Sequence, residues 1–338
     1  MSTRFACACA ALATVVFAGL AGDQWPGQPN PEPVRAATWL VPAVRPAAGS
    51  SAGQTPAEPG CDPHNLRASL RPQGPLPAPG QMPAGSTMAR IAQRGDLVVG
   101  VLEDTYPFAF REPDLRLAGF DIDLARDIAG AIFGDRERVV FRPAPEANRF
   151  EVLRSGQADL VVASATITCH RREEVDFSTV YFEAGQQVLV NRGSGVTGLG
   201  DLGGKRVCAA RGSTSLETIL AAPARPIPVG ADTETDCLMK LQLGEVDAVS
   251  TDDTLLAGMA AQDPRTEIVG PRLTEEPYGV AISKGNPDLE RFVNAVLERR
   301  AADGRWRASY ERWLTPPEPP LGPPPPSPPP PPSPQYRD

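Results

Sequence analysis

The stretch Asp121–Phe133, with the sequence DIDLARDIAGAIF, decides the fold class because its apolar residues recur at steps of three and four. This spacing predicts an amphipathic helix with one buried face. Apolar runs at Leu97–Leu102 and Val139–Arg142 flank it and predict strands. A helix at Asn148–Ser155 and a strand at Asp159–Ala163 complete a βαβαβ series. Strands that alternate with helices imply a largely parallel sheet covered on both faces.

A second series of strands and helices follows in the next part of the chain. Its predicted elements are strands Gln187–Asn191 and Lys205–Ala209, helix Ser215–Ala221, strand Ile227–Gly230, helix Thr233–Leu243, strand Val246–Ser250 and helix Asp253–Ala261. Two such series predict an α/β fold with two lobes. In open α/β sheets, ligands lie beyond the carboxyl ends of the strands, next to helix N-termini. The polar segments at those ends are Glu103–Phe110, Ser164–Arg172, Arg211–Ser215 and Thr251–Thr254.

Prolines mark the ends of the folded part. Of the 39 prolines in 338 residues, 14 fall in residues 22–86 and 14 in residues 315–338. The remainder, about 87–314, has an ordinary proline content. Both ends lack the apolar content needed for a core. We therefore predict a proline-rich spacer at 23–86 and a proline-rich, disordered tail at 315–338.

The N-terminus has the layout of a secretory signal. Arg4 precedes an uncharged run at Phe5–Ala21, and small residues follow at Gly19–Gly22. Residues 1–22 are therefore predicted to be a signal sequence or, since the run is barely long enough to span a bilayer, an uncleaved anchor. Asp23 stands where a bacterial lipoprotein would carry its lipidated cysteine. We expect an exported protein of the cell envelope, on the extracytoplasmic face of the membrane.

The composition disfavours several function classes. Lysine and arginine total 33 against 41 acidic residues, for a net charge of −8, and no basic cluster occurs. A nucleic-acid partner requires a basic face, so none is expected. The two histidines, His64 and His170, belong to no metal-spaced cluster, and no phosphate-binding glycine loop or nucleophile–base pair is evident. We predict no metal, no cofactor and no enzyme.

Four cysteines remain after the predicted signal: Cys61, Cys169, Cys208 and Cys237. An even number in an exported protein favours disulfides, but four cysteines allow three pairings that the sequence does not rank. The positions favour Cys208 with Cys237, since one lies in a predicted strand and the other in a helix soon after. Cys61 would then tie the spacer to the loop that carries Cys169. Free buried thiols are the alternative.

Short motifs occur in a fixed order along residues 87–314. They are Tyr106–Phe108, Gly119–Leu124, Gly156–Asp159, Thr166–Thr168 with Arg171, Val175–Ser178, Asp201–Lys205, Gly212–Thr214, Gly244–Ala248, Asp252–Asp253 and Tyr278–Gly279. Together they resemble the family 3 extracellular solute-binding proteins, the receptors for polar amino acids. The proline-rich ends and the cysteine positions resemble the actinobacterial glutamine/glutamate-binding lipoproteins of this family.

The resemblance implies two Rossmann-like lobes joined by a two-strand hinge, the type II arrangement of periplasmic binding proteins. Lobe 1 would comprise residues 87–180 and 279–314, and lobe 2 residues 186–273. The hinges would lie at 181–185 and 274–278. The lobes would close on the ligand by a hinge motion.

The resemblance also implies a site for a free amino acid, whose carboxylate needs a fork-shaped cation and whose ammonium needs a carboxylate. Arg171 would hold the α-carboxylate, and Asp253 would hold the ammonium. The alternatives are a surface ion pair for Arg171 and an N-cap for Asp253. The predicted helpers are Thr166, Ser213 and Thr214 for the carboxylate, Ser164 for the ammonium, and Tyr106 and Phe108 for the ligand's methylene groups.

The pocket for the ligand's side chain is less sharply defined. Arg149 resembles the residue that holds a second carboxylate in the acidic-amino-acid branch of the family. Two residues depart from that pattern: Leu102 replaces an arginine, and Glu146 replaces a small hydroxyl residue and would repel an anion. The predicted ligand is therefore glutamate, aspartate, glutamine or asparagine.

The resemblance implies that the protein binds its amino acid outside the cytoplasm and delivers it to an ABC permease. One alternative is a sensor that reports amino-acid supply to a membrane-embedded signalling protein. Another is a dehydratase-like enzyme, because some proteins of this fold catalyse dehydration. We expect a monomer.

Overall fold

The computed structural model describes residue 61, residues 65–315 and residues 328–338. The predicted signal at 1–22 and most of the predicted spacer lie outside these residues. Within the described ranges, no helix combines the length and the apolar character that a membrane crossing requires.

The first half of the described chain forms most of lobe 1. Its elements are β1 (Ala68–Ser69), α1 (Thr87–Arg94), β2 (Leu97–Val101), β3 (Asp104–Thr105), β4 (Ala109–Arg111), β5 (Leu117–Ala118), α2 (Phe120–Phe133), β6 (Val139–Pro143), α3 (Glu151–Arg154), β7 (Leu160–Val161), α4 (Cys169–Glu174) and β8 (Val175–Phe177). The helix predicted from the sequence at 121–133 is α2. The helix predicted at 148–155 is shorter, because a 3₁₀ turn at Glu146–Asn148 takes up its beginning.

The second half contains the hinge strands, lobe 2 and the return to lobe 1. Its elements are β9 (Phe182–Ala184), β10 (Gln186–Asn191), β11 (Arg206–Ala210), α5 (Thr214–Ala221), β12 (Ile227–Ala231), α6 (Glu234–Gln242), β13 (Ala248–Asp252), α7 (Asp253–Gln262), β14 (Thr266–Val269), β15 (Glu276–Tyr278), β16 (Ala281–Ser283), α8 (Pro287–Ala302), α9 (Arg305–Trp313) and β17 (Gln335–Tyr336).

The two lobes have sheets of the same design. The strand order is β6-β2-β7-β16-β8 in lobe 1 and β12-β11-β13-β10-β14 in lobe 2. In each sheet three strands are parallel, and the strand that arrives directly from the hinge, β16 or β10, is antiparallel to both its neighbours. The antiparallel insertions were not predicted from the sequence. The α/β fold class was, and the structure confirms it.

Two antiparallel strands, β9 and β15, connect the lobes, with Tyr278 opposite Phe182. The next residues of each strand continue into a lobe sheet, so that Gln186 pairs with Asp252 across β10 and β13. Each hinge strand is therefore continuous with the inserted strand of one sheet, and the ends of both sheets lie beside the hinge.

Two glycines show why local sequence permits this packing. Gly119, at φ 127°, precedes α2, and a Cβ there would collide with the backbone of Phe108. This close approach lets the amides of Phe120 and Asp121 donate to the carbonyls of Pro107 and Phe108. Gly212 has φ 78°, and a Cβ would lie 2.7 Å from Cα of Ala147 in the other lobe.

Both disulfides favoured from the sequence are present. Cys208 of β11 is bonded to Cys237 of α6 inside the core of lobe 2, where both side chains are fully buried. Cys61 is bonded to Cys169, the first residue of α4.

The terminal segments differ from the sequence prediction. Residues 65–71 and 328–338, which we call the terminal clasp, pack on lobe 1 through the parallel pair β1–β17. The guanidinium of Arg71 lies 4.4 Å from the ring centre of Tyr336, and Arg337 donates to buried Glu290 at 3.1 Å. The prediction of a disordered tail is wrong for these residues, because the charged and aromatic residues that end the chain find partners that composition does not reveal.

Candidate functional site

The candidate site lies where the carboxyl ends of strands from both lobes meet beside the hinge. The lobes are in contact there: the hydroxyl of Thr235 in lobe 2 donates to the carbonyl of Asp104 in lobe 1 at 2.9 Å. Gly258 of α7 packs so closely on the carbonyl of Tyr106 that a Cβ would collide with it. The structure is therefore a closed form, with several ionisable side chains buried between the lobes.

Arg171 is a buried cation that forms hydrogen bonds with both lobes. Its backbone amide donates to the hydroxyl of Thr168 at 3.1 Å, and this N-cap starts the short helix α4. The guanidinium donates to the carbonyl of Thr166 at 2.8 Å and, across the cleft, to that of Gly212 at 3.0 Å. A guanidinium has five N–H donors, so donors remain for a ligand. Burial, with Arg149 nearby, lowers the pKa of Arg171 to about 10.

Asp253, the predicted ammonium ligand, does not join this cluster. Its carboxylate accepts from Nε of Arg272 at 2.6 Å and from the amide of Thr254 at 2.8 Å. The Arg272 side chain is about half exposed, at 54%. Both carboxylate oxygens of Asp253 therefore already accept hydrogen bonds at the start of α7, one of them from the half-exposed Arg272.

The neighbouring Asp252 is buried beside Tyr278 of the hinge strand β15. It is 5% exposed. One oxygen accepts from the hydroxyl of Tyr278, and the other, Oδ1, has no hydrogen-bond partner among the described residues. Burial, with Glu276 nearby, raises the pKa of Asp252 to about 8. An unpaired buried carboxylate oxygen is costly, and a cation placed beside it would relieve that cost.

Glu276, at the start of hinge strand β15, links the parts of the cleft. Its Oε2 accepts from the hydroxyl of Thr166 in lobe 1 at 2.6 Å and from that of Thr214 in lobe 2 at 2.9 Å. Its Oε1 accepts from Thr274 at 2.6 Å. The side chain is 3% exposed. Two predicted site residues, Thr166 and Thr214, are thus brought together through an acid that the sequence did not single out.

Ser164 and Ser213 lie at the ends of strands that feed the cleft. Ser164 has a positive φ of 46°, a conformation that costs a non-glycine residue free energy. Its amide and hydroxyl both donate to Asp121, at 2.8 and 3.2 Å. Burial raises the pKa of Asp121 to about 6. Ser213 caps α5 by accepting from the amide of Leu216 at 3.1 Å, so it aims the first turn of that helix at the cleft.

Arg149 is buried but already partnered. Nη1 donates to the carbonyl of Ala163 at 2.7 Å, and Nη2 lies 3.5 Å from Oε1 of Glu146. Burial raises the pKa of Glu146, and burial together with Glu146 raises that of Glu234 well above the usual range. Glu234, at the start of α6, is 2% exposed, and its Oε2 has no partner among the described residues.

Tyr106 and Phe108, the aromatic residues predicted to contact the ligand's methylene groups, have different surroundings. Phe108 is fully buried against Phe120, Phe182 and Tyr278, with ring centres 5.1 to 5.8 Å apart. Tyr106 contacts α7 through its carbonyl, and its ring packs edge-on against Phe110 at 4.9 Å. A cavity of 280 Å³ opens nearby, between Leu102 and Glu146 of lobe 1 and Asp232 and Thr233 of lobe 2.

Sequence reasoning missed Asp252, Glu234 and Glu276. Asp252 was available as the partner of Asp253 in the same motif, and Glu276 precedes the quoted motif Tyr278–Gly279. Glu234 had no signal, because an acid in the first turn of a helix is ordinary. Among the described residues no group of histidine, cysteine, aspartate and glutamate side chains has the arrangement of a metal site.

Comparison with known proteins identifies the family. Residues 97–316 match the bacterial extracellular solute-binding proteins, family 3. The chain is 37% identical over 230 residues to the ABC transporter glutamine-binding protein GlnH of Bacillus subtilis, covering 68% of this chain and 84% of the relative. It is 30% identical over 252 residues to the glutamate-binding protein GluB of Corynebacterium efficiens, covering 71% and 84%.

A solved structure agrees with these matches. The solute receptor for L-cysteine of Neisseria gonorrhoeae superposes with a TM-score of 0.65 at 30% identity, over 68% of this chain and 94% of that one. The two sequence relatives are named as binding proteins, and the solved receptor shares the fold described above. The chain therefore belongs to the family 3 extracellular solute-binding proteins of bacteria.

Proposed function

We propose that the protein binds one free polar amino acid between its lobes, outside the cytoplasm, and delivers it to an ABC importer. The observation that carries the proposal is the pair Arg171 and Asp252, a buried cation and a buried carboxyl group on different lobes of one closed cleft. The relatives named for glutamine and for glutamate support the ligand class.

Each pole of the amino acid has a set of partners. The α-carboxylate pairs with the free N–H donors of Arg171 and with the first turn of α5 at Ser213 and Thr214, whose helix dipole adds partial positive charge. The ammonium pairs with Oδ1 of Asp252, which otherwise lacks a partner. Charged hydrogen bonds contribute about 1.5–3 kcal/mol each, so three or four suffice for micromolar affinity, about −8 kcal/mol.

The side-chain pocket favours an amide over a carboxylate. Arg149 is the residue predicted to hold a second carboxylate, but Glu146 lies 3.5 Å from its Nη2 and already balances part of its positive charge, while Nη1 donates to the carbonyl of Ala163. Glu234 adds a second buried acid, whose pKa is raised well above its usual range by burial and then by Glu146. An amide can pair with such acids in either protonation state, whereas an anionic side chain would be repelled by whichever of them is ionised. We propose glutamine or asparagine as the preferred ligand, ahead of glutamate and aspartate.

The first test separates the two neighbouring aspartates. Asp252→Asn is expected to weaken binding of L-glutamine at least about 100-fold, because a buried charge pair is broken. Asp253→Asn is the matched control and should change the dissociation constant by less than about threefold, since its partner is the half-exposed Arg272 rather than a group in the cleft. Isothermal titration calorimetry measures both. Equal losses in the two variants, or full affinity in Asp252→Asn, would place the ammonium elsewhere.

The second test addresses ligand choice. Wild-type protein is titrated with the L-forms of glutamine, asparagine, glutamate and aspartate at pH 8. We expect glutamine to bind about 100-fold tighter than glutamate, and the double variant Glu146→Gln/Glu234→Gln to reduce that ratio about tenfold. Asp232→Asn, an exposed acid on the rim of the cavity, is the control and should leave the ratio unchanged. Tighter binding of glutamate by the wild type would reverse the proposed preference.

A further inference from the structure

The helix that carries Arg171, α4, is attached to the segment at residues 61–68 by a disulfide and by hydrogen bonds. Cys169, two residues before Arg171, is bonded to Cys61. Arg172, the next residue after Arg171, donates to the carbonyls of Leu66 and Ala68 at 2.7 and 2.9 Å. Helix α4 has only six residues, too few to be stable alone. Its position therefore depends on the N-terminal segment to which it is attached.

The same segment holds the hinge. Arg67 forms ion pairs with Glu183 of β9 and, at 2.7 Å, with Glu275, the residue before β15. Strands β9 and β15 pair with each other, with Glu183 opposite Pro277. One side chain thus bridges the two connections between the lobes in the closed form.

The C-terminal residues keep this segment in place. Besides the pairing of β1 with β17, the amide of Arg71 donates to the carboxylate of Asp338 at 2.7 Å. Three prolines of the same stretch, Pro331, Pro332 and Pro334, line a small cavity with Tyr181 and Trp306, at the entrance to the hinge. Residues from both ends of the chain therefore meet behind α4 and the hinge.

We propose that the terminal clasp, together with the Cys61–Cys169 disulfide, positions Arg171 and the hinge strands for closure and so sets ligand affinity without contacting the ligand. The inference rests on the proposed function of the cleft. Its physical basis is geometric: if the guanidinium of Arg171 is displaced by about 1 Å, its hydrogen bonds to the ligand contribute much less to binding. In this closed form Arg67 joins both connections between the lobes, so any rearrangement of the hinge would have to alter its ion pairs.

The test compares affinity with stability in matched variants. Dissociation constants for L-glutamine and L-glutamate are measured by calorimetry at 10 °C, and melting temperatures are measured on the same samples. The test variants are Cys61→Ser/Cys169→Ser, Arg67→Gln, and deletion of residues 328–338. The control for the disulfide is Cys208→Ser/Cys237→Ser, which removes the bond in lobe 2. The control for Arg67 is Arg94→Gln, which removes the lobe 1 ion pair with Asp159 far from the hinge.

We expect each test variant to raise the dissociation constant about three- to tenfold, and both controls to leave it within about twofold even where the melting temperature falls. Test variants that lose stability but keep wild-type affinity would overturn the inference, as would an equal loss of affinity in the Cys208→Ser/Cys237→Ser control. Arg67→Gln removes a partly exposed side chain and is expected to fold, so it decides the matter if the other two variants do not. Wild-type protein that binds none of glutamine, glutamate, asparagine or aspartate would refute the proposed function instead.

Discussion

The ligand cleft and the polar network around Glu290 and Asn294, at the back of lobe 1, both bury polar groups. They differ in whether those groups have hydrogen-bond partners. At the back, the carboxylate of Glu290 is 1% exposed and accepts from the hydroxyl of Ser69 at 2.6 Å and the amide of Leu70 at 3.0 Å. Asn294 donates to Ser69 and accepts from the amide of Thr179. In the cleft, Asp252 and Glu234 each leave one buried oxygen without a partner among the described residues.

The difference separates stability from function. A buried polar network whose members are all paired stabilises one conformation. Buried carboxylates without partners destabilise the form that contains them, and a ligand that supplies the missing donors recovers that free energy on binding. The cleft is therefore the part of the molecule in which stability and binding are expected to oppose each other.

The largest expected effect is at the back of lobe 1. Glu290→Ala removes the acceptor for Ser69, Leu70 and Arg337, and leaves the buried donors unpaired. We expect the free energy of unfolding to fall by about 3–5 kcal/mol, measured by urea denaturation of ligand-free protein. Glu290→Gln retains one acceptor oxygen and should lose less. A loss below about 1 kcal/mol for the alanine variant would show that the network does not bear on stability.

The fold was predictable from the sequence because its main signals are local. The three- and four-residue spacing in α2 and the apolar runs of β2 and β6 identified the elements at residues 97–143. The antiparallel insertion of β10 and β16 was not predictable, since it depends on which edge of a sheet a strand reaches after the hinge. The clasp was missed because a proline-rich composition predicts disorder, whereas docking depends on partners far away in the chain.

The sequence prediction and the structure-based proposal for the ammonium partner differ by one residue, and the reason is physical. Arg171 was identified through a motif and lies in the cleft. Asp252 and Asp253 are adjacent acids at the end of β13, and every residue of that strand is buried, so alternation does not reveal which acid lies on the cleft side. Only the start of α7 separates them: its first residue, Asp253, turns toward Arg272, while Asp252 remains beneath Tyr278.

The smallest expected effect tests directly whether Asp252 lowers the stability of the ligand-free protein while it supports ligand binding. The pKa of Asp252 is raised to about 8, so the folded protein holds a proton that the unfolded chain releases above its usual pKa of about 3.9. Stability must then fall as pH rises between these two values. Asp252→Asn does not titrate and should escape this loss. At pH 8 we expect the variant to be more stable than the wild type by about 1–2 kcal/mol, even though it binds glutamine poorly.

The pH dependence of the stability difference between Asp252→Asn and wild type shows whether titration of Asp252 causes it. Urea denaturation of ligand-free Asp252→Asn and wild type is compared at pH 5 and pH 8. The advantage of the variant should vanish or reverse at pH 5, because at that pH the wild type has not yet lost most of the stability that it loses as the pH rises toward 8. Asp253→Asn is the control and should be slightly less stable than wild type at both pH values, because it loses the ion pair with Arg272. If Asp252→Asn were less stable than the wild type at pH 8, the carboxylate would be contributing to the fold, and the contrast between the cleft and the back of lobe 1 would not hold.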